Sequence, residues 1–266
     1  MSIFVCPVCS EKLTVSGKSY VCPKKHCFDI AKSGYLNLLT GKQGAVHGDN
    51  KFMLHARRDF LEKGYYSPLR DAVCRTVSEY TKNNSILLDA GCGEGYYTSA
   101  VKSNTDIEMY GIDISKDAVE MAAKRYKNIR FLVASVFHIP VQTASCDILL
   151  TMFAPYCQEE YSRVLKSDGT MIMVIPSKNH LWELKKAVYD TPYMNEVKPY
   201  ELNGFRHIGT ERVNFTMKID NATDIQSLFS MTPYYYRTGK TEQKRLNSLE
   251  YLETQADFEI ITYKKQ

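Results

Sequence analysis

Four cysteines and one histidine lie close together in the first 27 residues of the chain. Cys6 and Cys9 are separated by two residues, and after twelve further residues Cys22 is followed by His26 and Cys27. Donor pairs at this spacing are typical of two turns that face each other across a tetrahedral Zn²⁺ site. The sequence therefore predicts a structural zinc ribbon. Spacing alone allows either His26 or Cys27 as the fourth ligand, and a set of free structural cysteines is the alternative.

A glycine-rich segment, LLDAGCGEGYYT, is the second candidate site. It contains Asp89 and then Gly91, Gly93 and Gly95 at intervals of two. Glycines let the backbone turn sharply, and the N–H groups of a following helix favour an anionic ligand. A dinucleotide fingerprint would have glycine in place of Tyr96, and a P-loop would need G-K-[ST], which is absent. The acidic-x-G-x-G-x-G pattern instead resembles the loop of class I S-adenosylmethionine-dependent methyltransferases.

Three further residues fit that class of loop. Asp113 ends the next predicted strand, where it is placed to bind both ribose hydroxyls, and Ala134 and Ser135 follow the third strand in the adenine-facing turn. The segment RVLKSDGTMIMV resembles the fifth-strand motif of the class but departs from it at Ser167 and Asp168. We therefore expect S-adenosylmethionine in this pocket, with a core that no longer binds the cofactor as the alternative.

The elements that position these residues follow from hydrophobic periodicity. From residue 85 onward, short apolar strands alternate with amphipathic helices, which predicts a Rossmann-like α/β fold whose seven-stranded sheet is parallel except for its closing pair. Two helices joined at Tyr65 and Tyr66 are expected before it, and SEKLTVSGKSYV predicts a hairpin between the zinc turns. At the end of the chain we expect an antiparallel strand pair, a capped helix in NATDIQSLFSM and a last helix in NSLEYLETQ.

The sequence divides into three predicted parts. Residues 1–40 form the zinc ribbon, residues 41–80 the linker and two helices, and residues 81–266 the methyltransferase domain. The boundary is placed near residues 40 to 50, because LLTGKQGAVHGDN is rich in glycine and has no apolar periodicity.

Composition limits the class of protein. The chain has 266 residues, 44% of them hydrophobic, which is enough for one large core and argues against disorder. MSIFV does not resemble a signal peptide, and the apolar runs are too short to span a bilayer, so we expect a soluble cytoplasmic protein. Residues 1–58 hold nine Lys or Arg and three Asp or Glu, a charge of +6 within a total of +4. This basic end suggests a polyanionic partner, with an ordinary solvated surface as the alternative.

Several longer segments together resemble one family. CPVC…YVCPKKHCFDIAKSGYLNLL, ARRDFLEKGYYSPLRDAV, LDAGCGEGYYT, FAPYCQEEYSRVLK, HLWELK and MTPYYYR are similar to the bacterial 23S rRNA (guanine-N1)-methyltransferases, nearly from end to end. The resemblance implies a zinc ribbon that recognises RNA, 23S rRNA as substrate, a homodimer and a link to macrolide (tylosin) resistance in one group of the family. The metal ligands that it implies are Cys6, Cys9, Cys22 and His26. The cofactor contacts that it implies are Tyr66, Gly93, Glu94 and His180.

The proposed chemistry makes its own demands. Methyl transfer is an in-line displacement, so positioning of the acceptor nitrogen dominates. Guanine N1 carries a proton and lies within the Watson–Crick edge, so the base must be unpaired or extruded, as in a hairpin loop. Arg57, Arg58, Lys24 and Lys25 are candidates for holding the RNA backbone. The tyrosines of residues 234–237 are candidates for base stacking or for covering the sheet.

No single residue stands out as the proton acceptor. Glu159 and Glu160 follow the fourth strand, where class I enzymes arrange the acceptor base, but they are equally compatible with the first turn of a helix. Two other functions remain open from the sequence. One is methylation of a small molecule such as a quinone, and the other is RNA binding without catalysis.

Overall fold

The computed structural model describes residues 2–40, 50–197 and 201–266, and all their side chains except those of residues 236 and 237. The predicted linker therefore lies largely outside the described residues. The strands in the described part are β1 (Thr14–Ser16), β2 (Ser19–Val21), β3 (Cys27–Asp29), β4 (Leu36–Asn37), β5 (Ile86–Ala90), β6 (Glu108–Asp113), β7 (Arg130–Val133), β8 (Cys146–Met152), β9 (Leu165–Pro176), β10 (Phe205–Ile219) and β11 (Leu252–Lys265). The helices are α1 (Lys51–Glu62), α2 (Ser67–Tyr80), α3 (Tyr96–Asn104), α4 (Lys116–Arg125), α5 (Gln158–Val164), α6 (Trp182–Val188), α7 (Ala222–Ser230) and α8 (Lys240–Asn247), with a 3₁₀ helix at Pro233–Arg237.

One mixed sheet organises the fold, in the order β10-β11-β9-β8-β5-β6-β7-β4. The pairs from β9 to β4 are parallel, and β10 and β11 are antiparallel to their neighbours. Strands β5 to β11 are the seven predicted ones, so the predicted class I α/β fold is confirmed, and β4 is an eighth strand from the N-terminal segment. The chain runs outward in both directions from β5, and this reversal opens a crevice at the carboxyl ends of the strands.

The end of the chain differs from the expectation in one element. The helix predicted in NSLEYLETQ is wrong, because α8 ends before most of it and β11 begins within it. Leu252, Thr254 and Ala256 are buried while Glu253 is exposed, which is the two-residue period of a strand. Pairing with β10 over the whole length of β11 overrides the local helical preference. The predicted helix α7 is present, and the Asn221 side chain caps it by accepting from Asp224 N–H.

The N-terminal ribbon packs onto the large sheet. Strands β1 and β2 form the predicted hairpin, whose turn includes Gly17 at a φ of 61°. The Phe4 ring lies 5.5 Å from that of Tyr20 in the ribbon and 5.3 Å from that of Tyr110 in β6. Because β4 also pairs with β7, the ribbon shares its buried core with the sheet.

The two predicted helices before the sheet are present, and their junction faces the crevice. Asn50 caps α1 by accepting from Met53 N–H, and Tyr66 is the residue just before α2. The buried face of α1 packs against α7, and the Phe60 ring lies 5.5 Å from that of Tyr66. None of the helices in the described part of the chain has the length and apolar character that a membrane crossing requires.

Candidate active site and metal centre

The ribbon brings four metal donors together. The ligand atoms of Cys6, Cys9, Cys22 and His26 all lie within 4.8 Å of one another. Cys9 Sγ is 3.7 Å from Cys22 Sγ, and His26 Nδ1 is 3.4 Å from Cys22 Sγ. Zinc–sulfur bonds of about 2.3 Å in a tetrahedron separate the sulfurs by about 3.8 Å. These residues therefore fit a closed zinc site.

The second turn places His26 and Cys27 differently. Lys25 adopts a φ of 65°, and Cys22 N–H donates to the His26 carbonyl at 3.1 Å, so the chain folds back before His26. Cys27 is then the first residue of β3 and is exposed, outside the cluster. The geometry favours His26 as the fourth ligand, as the family resemblance implies.

A cavity of 740 Å³ opens at the carboxyl ends of β5, β6 and β8. Eight of the ten predicted cofactor residues line it, namely Tyr66, Asp89, Gly91, Gly93, Glu94, Asp113, Ser135 and His180. The other two lie just behind its wall. Gly95 caps α3 at a φ of 85°, and Ala134 is 1% exposed and donates its N–H to the Asp113 carbonyl.

The glycine loop is shaped by close backbone approach. A Cβ on Gly91 would lie 2.4 Å from Ala154 Cβ, and its φ is 92°. Gly93 N–H donates to the Asp113 carboxylate at 2.9 Å, which ties the loop to the end of β6. The loop therefore needs glycine at position 91 for two independent reasons.

Buried carboxyl groups give the cavity an acidic floor. Asp89 is 2% exposed, and its Oδ2 accepts from Thr98 at 2.6 Å, while its Oδ1 has no hydrogen-bond partner in the described part of the chain. Burial raises the pKa of Asp89 and that of Glu94 to about 7, and for Glu94 the nearby Arg57 opposes the rise. A buried oxygen without a partner is costly. A ligand with cationic and N–H groups, such as S-adenosylmethionine, fits this floor.

Two exposed aromatic side chains also line the cavity. Phe137, whose N–H donates to Ser135, is 59% exposed, and Phe153, directly after β8, is 50% exposed. Phe153 also has a φ of 56°, which is strained for a bulky side chain. Asn195 and Tyr234 line the cavity as well. We refer to Phe153, Asn195 and Tyr234 as the aromatic side of the cavity, and its rings can contact a planar group.

The candidate proton acceptors are not in the cavity. Neither Glu159 nor Glu160 lines it, and Glu160 accepts from Ile139 N–H and from Arg163. These hydrogen bonds hold the Glu160 pKa below its ordinary value despite partial burial. His180 does line the cavity, but its Nδ1 accepts from Asp257 N–H at 3.2 Å, and burial lowers its pKa to about 3. His180 is therefore uncharged at neutral pH and forms part of the cavity wall.

The candidate RNA-binding residues lie in three different environments. Arg57 lines the cavity, whereas Arg58 pairs with Asp59 at the surface. Lys24 and Lys25 are exposed on the second zinc turn. Of the tyrosines predicted to stack or pack, Tyr234 is 6% exposed and is packed. The side chains of residues 236 and 237 lie outside the described ones.

Sequence reasoning missed the aromatic and amide wall of the cavity. Phe153 lies in the quoted segment FAPYCQEEYSRVLK but was given no role, and Phe137 and Asn195 belong to no motif that the sequence analysis named. Lys185, which is buried behind Asn195, did leave a signal. It falls on the apolar stripe of α6 formed by Leu181, Leu184 and Val188, all at 0% exposure.

Comparison with known proteins places the chain in a family. It is 31% identical over 274 residues to a provisionally named 23S rRNA (guanine-N1)-methyltransferase, YxjB, of Bacillus subtilis strain 168, covering 98% of this chain and 96% of that protein. The chain belongs to the 23S rRNA (guanine-N1)-methyltransferase family. A Streptomyces fradiae member named 23S rRNA (guanine(748)-N(1))-methyltransferase is 29% identical over 228 residues, which cover 81% of this chain and 80% of that one.

The two parts of the chain also match separate family models. The model described as "RlmA, N-terminal" matches residues 4–43, and the one described as "Methyltransferase domain" matches residues 81–247. Among solved structures, YcgJ of Bacillus subtilis is similar with a TM-score of 0.52 at 18% identity, covering 74% of this chain and 98% of that one. That likeness supports the fold alone.

Proposed function

We propose that this protein transfers a methyl group from S-adenosylmethionine to N1 of a guanine in a hairpin loop of 23S rRNA. The observation that carries the proposal is a single cavity with an acidic, glycine-lined floor and an aromatic side. The floor suits a nucleoside that bears a positive charge, and the aromatic side suits an unpaired base. Family membership supplies the choice of rRNA over a small acceptor.

The residues of the floor would hold the cofactor, which when bound supplies an electrophilic methyl group on sulfur. Asp113 would accept the ribose hydroxyls, and Asp89 Oδ1 would accept an N–H of the amino acid end. Ser135 lies where the adenine is expected, and Tyr66 and His180 form the adjoining wall. Together with Gly91, Gly93 and Glu94 they are the cofactor residues we propose, with Gly95 and Ala134 as their backbone support.

The zinc ribbon would contribute to RNA binding. Zinc binding supplies folding energy to a unit that is too small for a core of its own. The ribbon presents Lys24 and Lys25 to solvent, and cations on a fixed turn can hold RNA phosphates. We place the reaction in the cytoplasm, where its rRNA substrate is made.

The decisive experiment measures methyl transfer to defined acceptors. Unmodified 23S rRNA transcript, 16S rRNA transcript and a small-molecule extract are each incubated with the protein and labelled S-adenosylmethionine. We expect label in the 23S transcript only, and a primer-extension stop at one guanine, because a methyl group on N1 blocks base pairing. Label in the extract would instead support a small-molecule methyltransferase. No label anywhere, combined with no calorimetric binding of S-adenosylmethionine, would support RNA binding without catalysis.

Two further expectations rest on the family resemblance. A strain that lacks the protein should lose one N1-methylguanine from 23S rRNA and change its sensitivity to tylosin, which growth assays measure. We also propose a homodimer, which sedimentation equilibrium tests. The three-part division at residues 40 and 80 stays a prediction, and limited proteolysis would locate the boundaries.

A further inference from the structure

Lys185 is a buried cation without an acidic partner. It is 1% exposed, and within the described residues no carboxylate pairs with it. Its ammonium group donates to the Tyr193 carbonyl at 3.0 Å and to Asn195 Oδ1 at 2.7 Å. It also lies 4.8 Å and 4.7 Å from the ring centroids of Tyr193 and Tyr234. Burial lowers the pKa of Lys185 to about 8. Removing an ammonium group from water is costly, and these four contacts offset part of the cost.

The position of Lys185 fixes the orientation of the Asn195 amide. An ammonium group can only donate, so the amide must turn its oxygen towards Lys185 and its nitrogen away. Tyr234 OH donates to the same oxygen at 2.9 Å, which fills the second lone pair. The amide nitrogen donates one of its two hydrogens to the Ser177 carbonyl at 2.9 Å.

One hydrogen of the Asn195 amide remains. No acceptor for it is found in the parts of the chain that the structure describes, and Asn195 lines the cavity. Because the oxygen is saturated by Lys185 and Tyr234, Asn195 can act towards a ligand only as a donor. A donor on this wall distinguishes guanine, whose O6 is an acceptor beside N1, from adenine, whose N6 is a donor at the same place.

We propose that Asn195 selects guanine by donating its remaining N–H to O6 of the acceptor base, and that Lys185 is the positioning residue that orients the amide. This inference rests on the proposed function and extends it to base selection. Asn195 lines the cavity and is bonded to Ser177, which follows β9, two strands away from β5 and its glycine loop. A base that enters beside β8 and β9 would meet this donor, while the cofactor would lie over the glycine loop.

The test changes one residue of the protein and the target base of the RNA, separately and together, as in a double-mutant cycle. Once primer extension has located the methylated guanine, a short RNA hairpin around it is made with guanine or with 2-aminopurine, which lacks O6 and also the hydrogen on N1. Binding of both hairpins is measured in the presence of S-adenosylhomocysteine, for the wild type and for Asn195→Asp. Aspartate keeps the size of the side chain and its contacts with Lys185 and Tyr234, but offers no N–H.

The wild type should bind the 2-aminopurine hairpin roughly ten- to a hundredfold more weakly than the guanine hairpin, because a buried donor loses its partner. In Asn195→Asp this difference should shrink by about tenfold or more, and what remains reports the missing N1 hydrogen of 2-aminopurine. A difference that stays the same in the variant would overturn the inference, since a merely structural role for Asn195 weakens both hairpins equally. If the wild type does not methylate the 23S transcript, the proposed function is wrong. If it methylates the transcript but the difference between the hairpins is the same in the variant, only the inference about Asn195 is wrong.

Two further variants control the experiment. Asn83→Asp makes the same chemical change at an exposed turn and should bind both hairpins as the wild type does. Lys185→Met removes the cation that orients the amide, so the difference between the hairpins should shrink while S-adenosylhomocysteine still binds. If Asn195→Asp does not fold, Lys185→Met decides: an unchanged difference between the hairpins then overturns the inference.

Discussion

The metal centre and the cavity are assembled in opposite ways. All four metal donors come from residues 6–26, and two short turns bring them together. The cavity wall draws on residues from Arg57 to Phe258. A local site can be recognised from spacing, because the turn itself fixes the distances between donors. A long-range site depends on which strand ends meet, and that is a property of the whole sheet.

The two sides of the cavity show the same contrast between local and long-range assembly. Its floor is a continuous loop, from Asp89 to Glu94, supplemented by Asp113 and Ser135 at the ends of neighbouring strands. Its aromatic side combines the end of β8 with the segments around Asn195 and Tyr234. The floor followed from a sequence pattern, whereas only the structure shows that Phe153, Asn195 and Tyr234 line the same cavity.

Loss of a metal ligand should have the largest effect. Cys22→Ala should abolish zinc binding and cost more than ~3 kcal/mol of unfolding free energy, because structural zinc contributes on the order of 10 kcal/mol. The ribbon covers Tyr110 of the sheet, so the loss should extend beyond the ribbon. Zinc content and urea unfolding measure both effects.

Cys27→Ser, at an exposed position, should keep the metal and change stability by less than ~0.5 kcal/mol. Loss of zinc in Cys27→Ser would exclude His26 as the fourth ligand.

A methyl group in the glycine loop should have the next largest effect. Gly91→Ala places a Cβ 2.4 Å from Ala154 Cβ at a positive φ. We expect a cost of about 2–4 kcal/mol and at least a tenfold loss of S-adenosylmethionine affinity, measured by thermal unfolding and calorimetry. Gly209→Ala is the matched control, because its added Cβ would meet nothing within 4 Å and its φ is not positive. Equal behaviour of the two variants would contradict the close approach of the loop to Ala154.

The acidic floor predicts a pH dependence of stability without cofactor. The Asp89 pKa is about 7 in the folded protein and 3.8 ordinarily, and the Glu94 pKa is about 7 against 4.5. Between these values the folded state binds more protons than the unfolded state, so the free energy of unfolding should fall as pH rises and level off above pH 7. Urea unfolding from pH 4 to 8 measures this slope. In Asp89→Asn the fall should be smaller, and an unchanged slope would show that Asp89 ionises normally.

The same carboxyl groups should make cofactor binding pH-dependent in the opposite direction. A cationic ligand favours the ionised carboxylates, so S-adenosylmethionine affinity should rise with pH by up to about tenfold per unit for each group and level off above pH 7. Calorimetry at pH 6, 7 and 8 checks this. Affinity that falls as pH rises would contradict the placement of the cofactor on this floor.

The smallest expected effect concerns the ribbon surface. Lys24→Ser should weaken 23S rRNA binding a few-fold and reduce the slope of log affinity against log salt by about 1, because one phosphate contact is lost. Lys24 is the better choice than Lys25, which adopts a φ of 65° in the second zinc turn. Lys82→Ser, at an exposed position just before β5, should leave the slope unchanged. If Lys24→Ser and Lys82→Ser had the same slope of log affinity against log salt, Lys24 of the ribbon would not contact an RNA phosphate. Deletion of residues 1–40 is a poorer test, because it would also remove β4 from the sheet.

The sequence determined the parts of this protein in which function follows local geometry. The ligand spacing, the glycine loop, Asp113 and the alternation of strands and helices were all available from it, because each depends on neighbouring residues. It failed at NSLEYLETQ, where pairing with β10 outweighs local helical preference. Only the tertiary structure decided that His26 joins the metal cluster while Cys27 lies outside it, and that Glu160 is held by Arg163.

The tertiary structure also decided the pairing of Lys185 with Asn195 on the cavity wall. A buried charge and the amide that it orients lie ten residues apart, with an irregular segment between them, and no periodicity relates them. Their contact exists because β9, α6 and the 3₁₀ helix meet at one end of the sheet. Spacing along the chain specifies contacts within a turn, whereas contacts between distant segments are specified by the packing of the whole core.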